Sequence, residues 1–149
     1  MIPPVIHQWW VGDPVPPLTV LTIGTFDLPH IGHARLFQRC ERFGRVVVGV
    51  NTDEFVQSYK GSAPLYRTAE RVALIALLGY EVHENHSAGR ELIERVRPDV
   101  LVVGSDWLRR DYLAQIDMTP DDLDRLDISL VYVPYTDGIS SSDIRRRVR

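Results

Sequence analysis

One cysteine, one lysine and no long apolar run mark this 149-residue sequence. A lone Cys40 excludes an internal disulfide and any multi-cysteine zinc cluster. The apolar runs break within about eight residues, far short of the roughly 18 to 20 that span a bilayer. No positively charged n-region precedes them, so the expected location is cytoplasmic, without a membrane partner. Positive charge is not in excess either. Lys and Arg total 17 against 20 Asp and Glu, a net charge of −3 that argues against nucleic acid as a partner. The remaining composition, 44% hydrophobic and 25% charged, is that of an ordinary soluble domain. All the basic residues but Lys60 are arginine, so the chain uses a lysine ammonium group at one position alone.

The first 17 residues hold five prolines (Pro3, Pro4, Pro14, Pro16, Pro17) and the pair Trp9 and Trp10, with neither strand nor helix periodicity. They read as an extended arm, residues 1–17, on a single domain of residues 18–149. The tryptophans call for a groove or a partner subunit to cover them. From Leu18 onward, β-branched apolar runs recur at 18–23, 46–50, 100–103 and 130–133, nearly continuous as in strands covered on both faces. A weaker run at 80–84 supplies a fifth strand. Helical stripes lie between them: Leu36, Phe37, Cys40 and Phe43; Val72, Ile75, Ala76 and Leu78; Leu92, Ile93 and Val96. Cys40 so placed is helix filler rather than a nucleophile. Thr119, Pro120, Asp121 and Asp122 read as an N-cap, an N1 proline and an acidic first turn. The alternation predicts an α/β fold: a doubly wound, Rossmann-like, five-stranded parallel sheet of order 3-2-1-4-5 with helices on both faces.

Directly after the first strand stands Gly24-Thr25-Phe26-Asp27-Leu28-Pro29-His30-Ile31-Gly32-His33. Glycine at a strand end permits a tight turn, and the helix that follows aims free N–H groups at an anion, most naturally phosphate. His30 and His33, three apart, share one helix face. Gly32 between them removes a side chain and lets a ligand approach the backbone. Metal ligation by the pair would need a third ligand that neither Cys40 nor a neighbouring carboxylate supplies. A purely structural pair is the other alternative. In the predicted sheet, this segment and Gly104-Ser105-Asp106-Trp107 flank the switch point where ligands bind. Ser140-Ser141-Ser142 opens a last helix as a second phosphate cradle.

Gly24-Thr25-Phe26-Asp27 followed by His30-Ile31-Gly32-His33 resembles the signature of the HxGH nucleotidyltransferases, and especially of the cytidylyltransferase family that includes glycerol-3-phosphate cytidylyltransferase. Val50-Asn51-Thr52-Asp53-Glu54-Phe55, Gly104-Ser105-Asp106-Trp107 and Gly138-Ile139-Ser140-Ser141-Ser142 match in the same order, so the resemblance covers residues 18 to 149. It implies that the phosphate of a small alcohol attacks the α-phosphorus of CTP and expels pyrophosphate, giving a CDP-alcohol of the CDP-glycerol kind. It also implies Mg2+, held mainly by the triphosphate, and a homodimer. The implied catalytic residues are His30, His33, Lys60 and Arg71. The histidines act as donors to the triphosphate, Lys60 lies on a mobile loop over the phosphates, and Arg71 sits near the acceptor phosphate with Arg67 to assist. The implied nucleotide-binding residues are Gly24, Thr25, Phe26, Asp27, Gly32, Gly104, Asp106, Trp107, Thr136, Ile139, Ser140 and Ser141. Thr25 and Phe26 offer backbone N–H groups. Asp27 caps or orients the histidine helix, with magnesium ligation as the lesser role. Asp106 and Trp107 stand near the base, Trp107 otherwise being core packing, and Lys60 otherwise a solvated loop residue.

The sequence also departs from the family. Where glycerol-3-phosphate cytidylyltransferases carry arginine in Arg-Thr-Glu-Gly-Ile-Ser, this chain has Tyr135-Thr136-Asp137-Gly138-Ile139-Ser140. Arg109, Arg110 or Arg145 is a candidate substitute for the missing guanidinium. ADP-heptose synthase adenylyltransferase domains share features resembling Val48-Gly49-Val50-Asn51 and Lys60-Gly61, which keeps ATP with a sugar phosphate as an alternative. A non-catalytic nucleotide-binding sensor is the alternative of another class. The cationic tail Arg145-Arg146-Arg147-Val148-Arg149 is read as a helix terminus complementing its dipole.

Overall fold

β-branched residues run through the centre of the molecule because their side chains pack well on pleated, doubly covered strands. In the computed structural model, which describes residues 17–148, they form β1 (Thr19–Gly24), β2 (Arg45–Asn51), β3 (Glu81–Asn85), β4 (Val100–Gly104) and β5 (Ser129–Val133). All pairings are parallel, and the order β3-β2-β1-β4-β5 is the predicted one. The arm carrying Trp9 and Trp10 lies outside the described residues.

The helices are α1 (Ile31–Glu41), α2 (Asp53–Lys60), α3 (Thr68–Leu77), α4 (Arg90–Val96), α5 (Tyr112–Gln115), α6 (Pro120–Leu126) and α7 (Ser141–Arg147), with a 3-10 turn at Ser105–Arg109. Phe37 and Cys40 of α1 and Ile75 of α3 bury against one face of the sheet. Leu92 and Ile93 of α4, Tyr112 of α5 and Ile116 bury against the other. Cys40 is fully buried, and burial pushes its thiol up to about 12, as suits filler. Thr119 caps α6 as expected, accepting from the Asp122 N–H at 3.2 Å.

α2 is a correction. The resemblance implies a mobile loop at Lys60, yet Thr52 caps a helix that runs to it, its hydroxyl accepting from the Phe55 N–H at 3.3 Å. Asp53 and Glu54 complement the first turn, and Gly61, at φ 78°, ends the helix in the left-handed region that favours glycine. Lys60 is therefore the last residue of a helix, and residues 61–66 form the loop. No helix among the described residues is long and apolar enough to cross a membrane.

Candidate active site

Between β1 and α1 the backbone is strained. Phe26 and Leu28 hold φ of 52° and 47°, a region that costs a residue with a Cβ about 1–2 kcal/mol and persists only where neighbours over-determine it. Two charged groups supply the constraint. Asp27, 4% exposed, accepts from the N–H groups of Leu65 (2.8 Å), Tyr66 (3.0 Å) and Leu28 (3.0 Å) and pairs with the guanidinium of Arg145. Burial pushes its carboxyl up, but the Tyr66 and Leu65 amides together with Arg145 outweigh that and hold it below the usual value. Arg71, 0% exposed, is the second. Its Nη1 donates to the carbonyls of Thr25 and Asn51, both at 2.7 Å, and its Nε donates to the carbonyl of Tyr66 at 2.9 Å. Its Nη2 reaches Asp53 Oδ1 at 2.7 Å and Thr68 Oγ1 at 3.3 Å.

Two expected roles change as a result. Arg71 does not stand beside an acceptor phosphate, because it lies beneath the cleft with all five guanidinium N–H groups occupied. Asp27 does not cap the histidine helix; it ties loop 64–66 and α7 to the turn. Arg67 is exposed at the N-cap of α3, where its N–H donates to Glu70.

His30 is itself the cap of α1. Its Nδ1 accepts from the Gly32 N–H at 3.0 Å, and His33 Nδ1 accepts from the His30 N–H at 3.3 Å. With both Nδ1 atoms accepting, the proton of each neutral imidazole sits on Nε2, so each ring presents an N–H donor. The rings stack at 3.8 Å, and Phe26 packs edge-on against His33 at 5.3 Å. Burial lowers the pKa of His33 to about 3, helped by the neighbouring His30, and burial also lowers that of His30. A Cβ at Gly32 would stand 2.8 Å from the His30 ring. The space left by the missing side chain is thus filled by that ring rather than by a ligand.

All the sequence-predicted site residues except Arg71 line one cleft of about 530 Å³ at the carboxyl ends of the strands. Gly24, Thr25 and Phe26 form its floor, where Thr25 Oγ1 lies 3.4 Å from the Tyr59 hydroxyl. Lys60 enters from the rim of α2, its Nζ 5.7 Å from the Tyr59 ring centroid. Gly104 ends β4, and Asp106 and Trp107 follow it, with the Arg110 guanidinium 4.7 Å from the Trp107 ring. Trp107 also packs on Tyr112 at 5.4 Å, so its packing and cleft-lining roles coexist. Thr136, Ile139, Ser140 and Ser141 close the far wall. The Thr136 hydroxyl and Arg145 Nε are buried there without a protein partner. Ser140 caps α7 through the Asp143 N–H at 3.1 Å, and Ser141 donates to the carbonyl of Asp27.

Where the family arginine is replaced by Tyr135, Arg110 and Arg145 line the cleft and Arg109 does not. Sequence reasoning missed Arg39, whose guanidinium donates to the Pro134 carbonyl at the cleft edge. Its signal was the spacing His33, Leu36, Arg39 along one helix face. Among the described residues no group of three or more His, Cys, Asp or Glu side chains is placed to hold a metal ion. Asp27, engaged by three backbone N–H groups and Arg145, has no free carboxylate position for the lesser, magnesium-binding role.

Residues 21–147 match the model of the family described as Cytidylyltransferase-like. The chain belongs to that family. This cytidylyltransferase-like domain is 33% identical to Bifunctional protein HldE of Campylobacter curvus over 135 residues, 87% of this chain but 27% of that protein. The chain thus spans about a quarter of the length of the HldE relatives it matches. It is 32% identical to glycerol-3-phosphate cytidylyltransferase of Bacillus spizizenii over 132 residues, 85% of this chain and 94% of that one. Among solved structures, the lipopolysaccharide core biosynthesis protein from Thermoplasma volcanium GSS1 superposes with a TM-score of 0.65 over 83% of this chain and 99% of its own, at 23% identity. That likeness concerns the fold alone. Family membership makes the cytidylyltransferase-like chain a nucleotidyltransferase domain.

Proposed function

We propose that this domain transfers a cytidylyl group from CTP to the phosphate of a small alcohol. A phosphate oxygen of the acceptor attacks the α-phosphorus, the bond from that phosphorus to the bridging oxygen breaks, and pyrophosphate leaves. The observation that carries the reading is the stacked histidine pair, whose two Nε2–H donors face one cleft while each Nδ1 is held by a backbone N–H. Such a pair stabilises charge on phosphate oxygens by hydrogen bonding without taking a proton, and phosphoryl transfer needs positioning and charge stabilisation above all. Lys60 at the rim supplies a movable point charge to the β- and γ-phosphates. Magnesium enters this reading with the nucleotide, bound to the triphosphate.

CTP is preferred to ATP because the likeness to glycerol-3-phosphate cytidylyltransferase runs through 94% of that protein. Asp106 is exposed beside Trp107 just after β4, where a carboxylate that accepts from an exocyclic amine favours cytosine over uracil. Pyrophosphate release is the test, measured with each nucleoside triphosphate against glycerol 3-phosphate and other phosphorylated alcohols. CTP-dependent turnover is expected. Turnover with ATP alone moves the chain to the adenylyltransferases, and nucleotide binding without turnover by any pair makes it a sensor. The expected homodimer rests on the family resemblance, and sedimentation of the pure protein decides it.

A further inference from the structure

The cleft divides according to the strands that feed it. Gly104 ends β4, Asp106 and Trp107 follow it, and Thr136 follows β5, so the proposed nucleotide uses that side. The opposite side is built where β2 and β3 end, from Asn51, Phe55 and Ala88, with Gln115 and Ile116 beyond β4. The carboxylates lining the cleft, Asp27 and Asp106, belong to neither β2 nor β3. Lys60 is the cation on this side, and the rest of its polar lining is carboxamide and hydroxyl.

Asn51 is held in one orientation there. It ends β2 and is the register partner of Asn85, which ends β3; both are buried. Asn85 Nδ2 donates to the Ser87 carbonyl at 2.6 Å and to Asn51 Oδ1 at 2.8 Å. A backbone carbonyl only accepts, so Asn85 presents its NH2 group to Ser87, and that same group obliges Asn51 to present its oxygen. The NH2 of Asn51 is thereby turned away from Asn85. The main chain at Asn51 is fixed as well, because its carbonyl accepts from Arg71.

We propose that Asn51 selects the acceptor, a claim that rests on the nucleotidyl-transfer reading. Its Nδ2–H donates to a hydroxyl oxygen of a polyol phosphate whose polyol part carries no charge, and Asn85 is the positioning residue that aims it. An ammonium head group has no lone pair to accept that bond and finds no carboxylate on this side. An unsubstituted alkyl phosphate leaves the buried amide without a partner, which a site built for hydroxyl recognition discriminates against.

The test compares glycerol 3-phosphate, n-propyl phosphate and phosphoethanolamine by pyrophosphate release with CTP and with ATP. The wild-type protein is expected to favour glycerol 3-phosphate over both others by about 10²-fold in kcat/KM. Asn51→Leu abolishes that preference by raising the KM for glycerol 3-phosphate, leaves n-propyl phosphate unaffected and keeps the nucleotide KM within about twofold. Asn51→Asp, which preserves shape and the bond from Asn85, guards against a folding failure; its second carboxylate oxygen accepts from a hydroxyl and from an ammonium alike, so it loses the preference over phosphoethanolamine. Asn85→Ala gives a smaller loss in the same acceptor KM. A wild-type preference for phosphoethanolamine, or Asn51 variants that weaken all acceptors and the nucleotide alike, overturns the proposal and leaves nucleotidyl transfer standing. No pyrophosphate from any pair overturns the transfer reading, and this proposal with it.

Discussion

Lys60 and Arg71 lie close in sequence, yet they end in two regions with opposite physics. Behind the cleft, Arg71, Asp27 and Asp53 form a saturated layer in which every guanidinium N–H of Arg71 has an acceptor within 3.3 Å. At the rim, Lys60 is exposed and touches the face of Tyr59. The first region consumes its hydrogen-bonding capacity in holding Thr25, Asn51 and Tyr66 together; the second keeps its charge available. A buried cation whose partners are backbone carbonyls fixes geometry, and an exposed one on a helix end can meet a substrate.

The sharpest way to break this division is Arg71→Ala. It strands three carbonyls and the Asp53 carboxylate, so unfolding free energy should fall by about 3–5 kcal/mol, as for one partner removed from a buried pair. Arg71→Lys keeps the charge but not the planar fork and should recover only part of it. Urea denaturation checks both. A fully stable Arg71→Ala protein whose sole defect is a raised acceptor KM would return Arg71 to the rim class.

Lys60→Ala should behave in the opposite manner. Stability changes by no more than about 0.5 kcal/mol, as for an ordinary surface substitution. In the proposed reaction kcat/KM falls by the equivalent of about 2–4 kcal/mol, the size of one lost oxyanion donor. Steady-state kinetics beside thermal melts separates the two effects. Lys60→Arg then shows whether the ammonium group itself is needed where the rest of the chain uses arginine.

The division between the regions was not legible in the sequence, although the sheet was. Nearly continuous runs such as Val46 to Val50 announce a strand covered on both faces, and all five strands lie where such runs predict them, in the predicted order. α2 carries its start and stop signals in Thr52, Asp53, Glu54 and Gly61, but the family resemblance sets a mobile loop at Lys60, and that pattern hides the helix. Arg71 was misplaced for a different reason. Burial of an arginine depends on three carbonyls from separate elements converging on it, and only the assembled fold brings Thr25, Asn51 and Tyr66 together. Asn51 shows the same limit: its orientation comes from Asn85, a neighbour created by strand pairing.

The histidine pair lies between the two regions, with Nδ1 atoms tied to the backbone and Nε2–H groups open, and pH distinguishes its halves. Burial holds His33 near a pKa of about 3, against an ordinary value of 6.5. Above pH 6.5 the folded and unfolded chains both keep this histidine neutral, and it contributes nothing to the slope of stability with pH. Below 6.5 the unfolded chain takes up a proton that the folded chain refuses, so stability falls as pH falls, by at most about 1.4 kcal/mol per unit. His33→Gln should flatten the decline between pH 6.5 and 5 measured by chemical denaturation, while the carboxylate-driven loss at lower pH persists. Since the pair serves as neutral donors, kcat/KM of the proposed reaction should show no fall between pH 6.5 and 8 from histidine deprotonation. A descending limb near 6.5 would mean that an imidazolium is required, and the tied Nδ1 geometry would then describe the resting protein and not the reacting one.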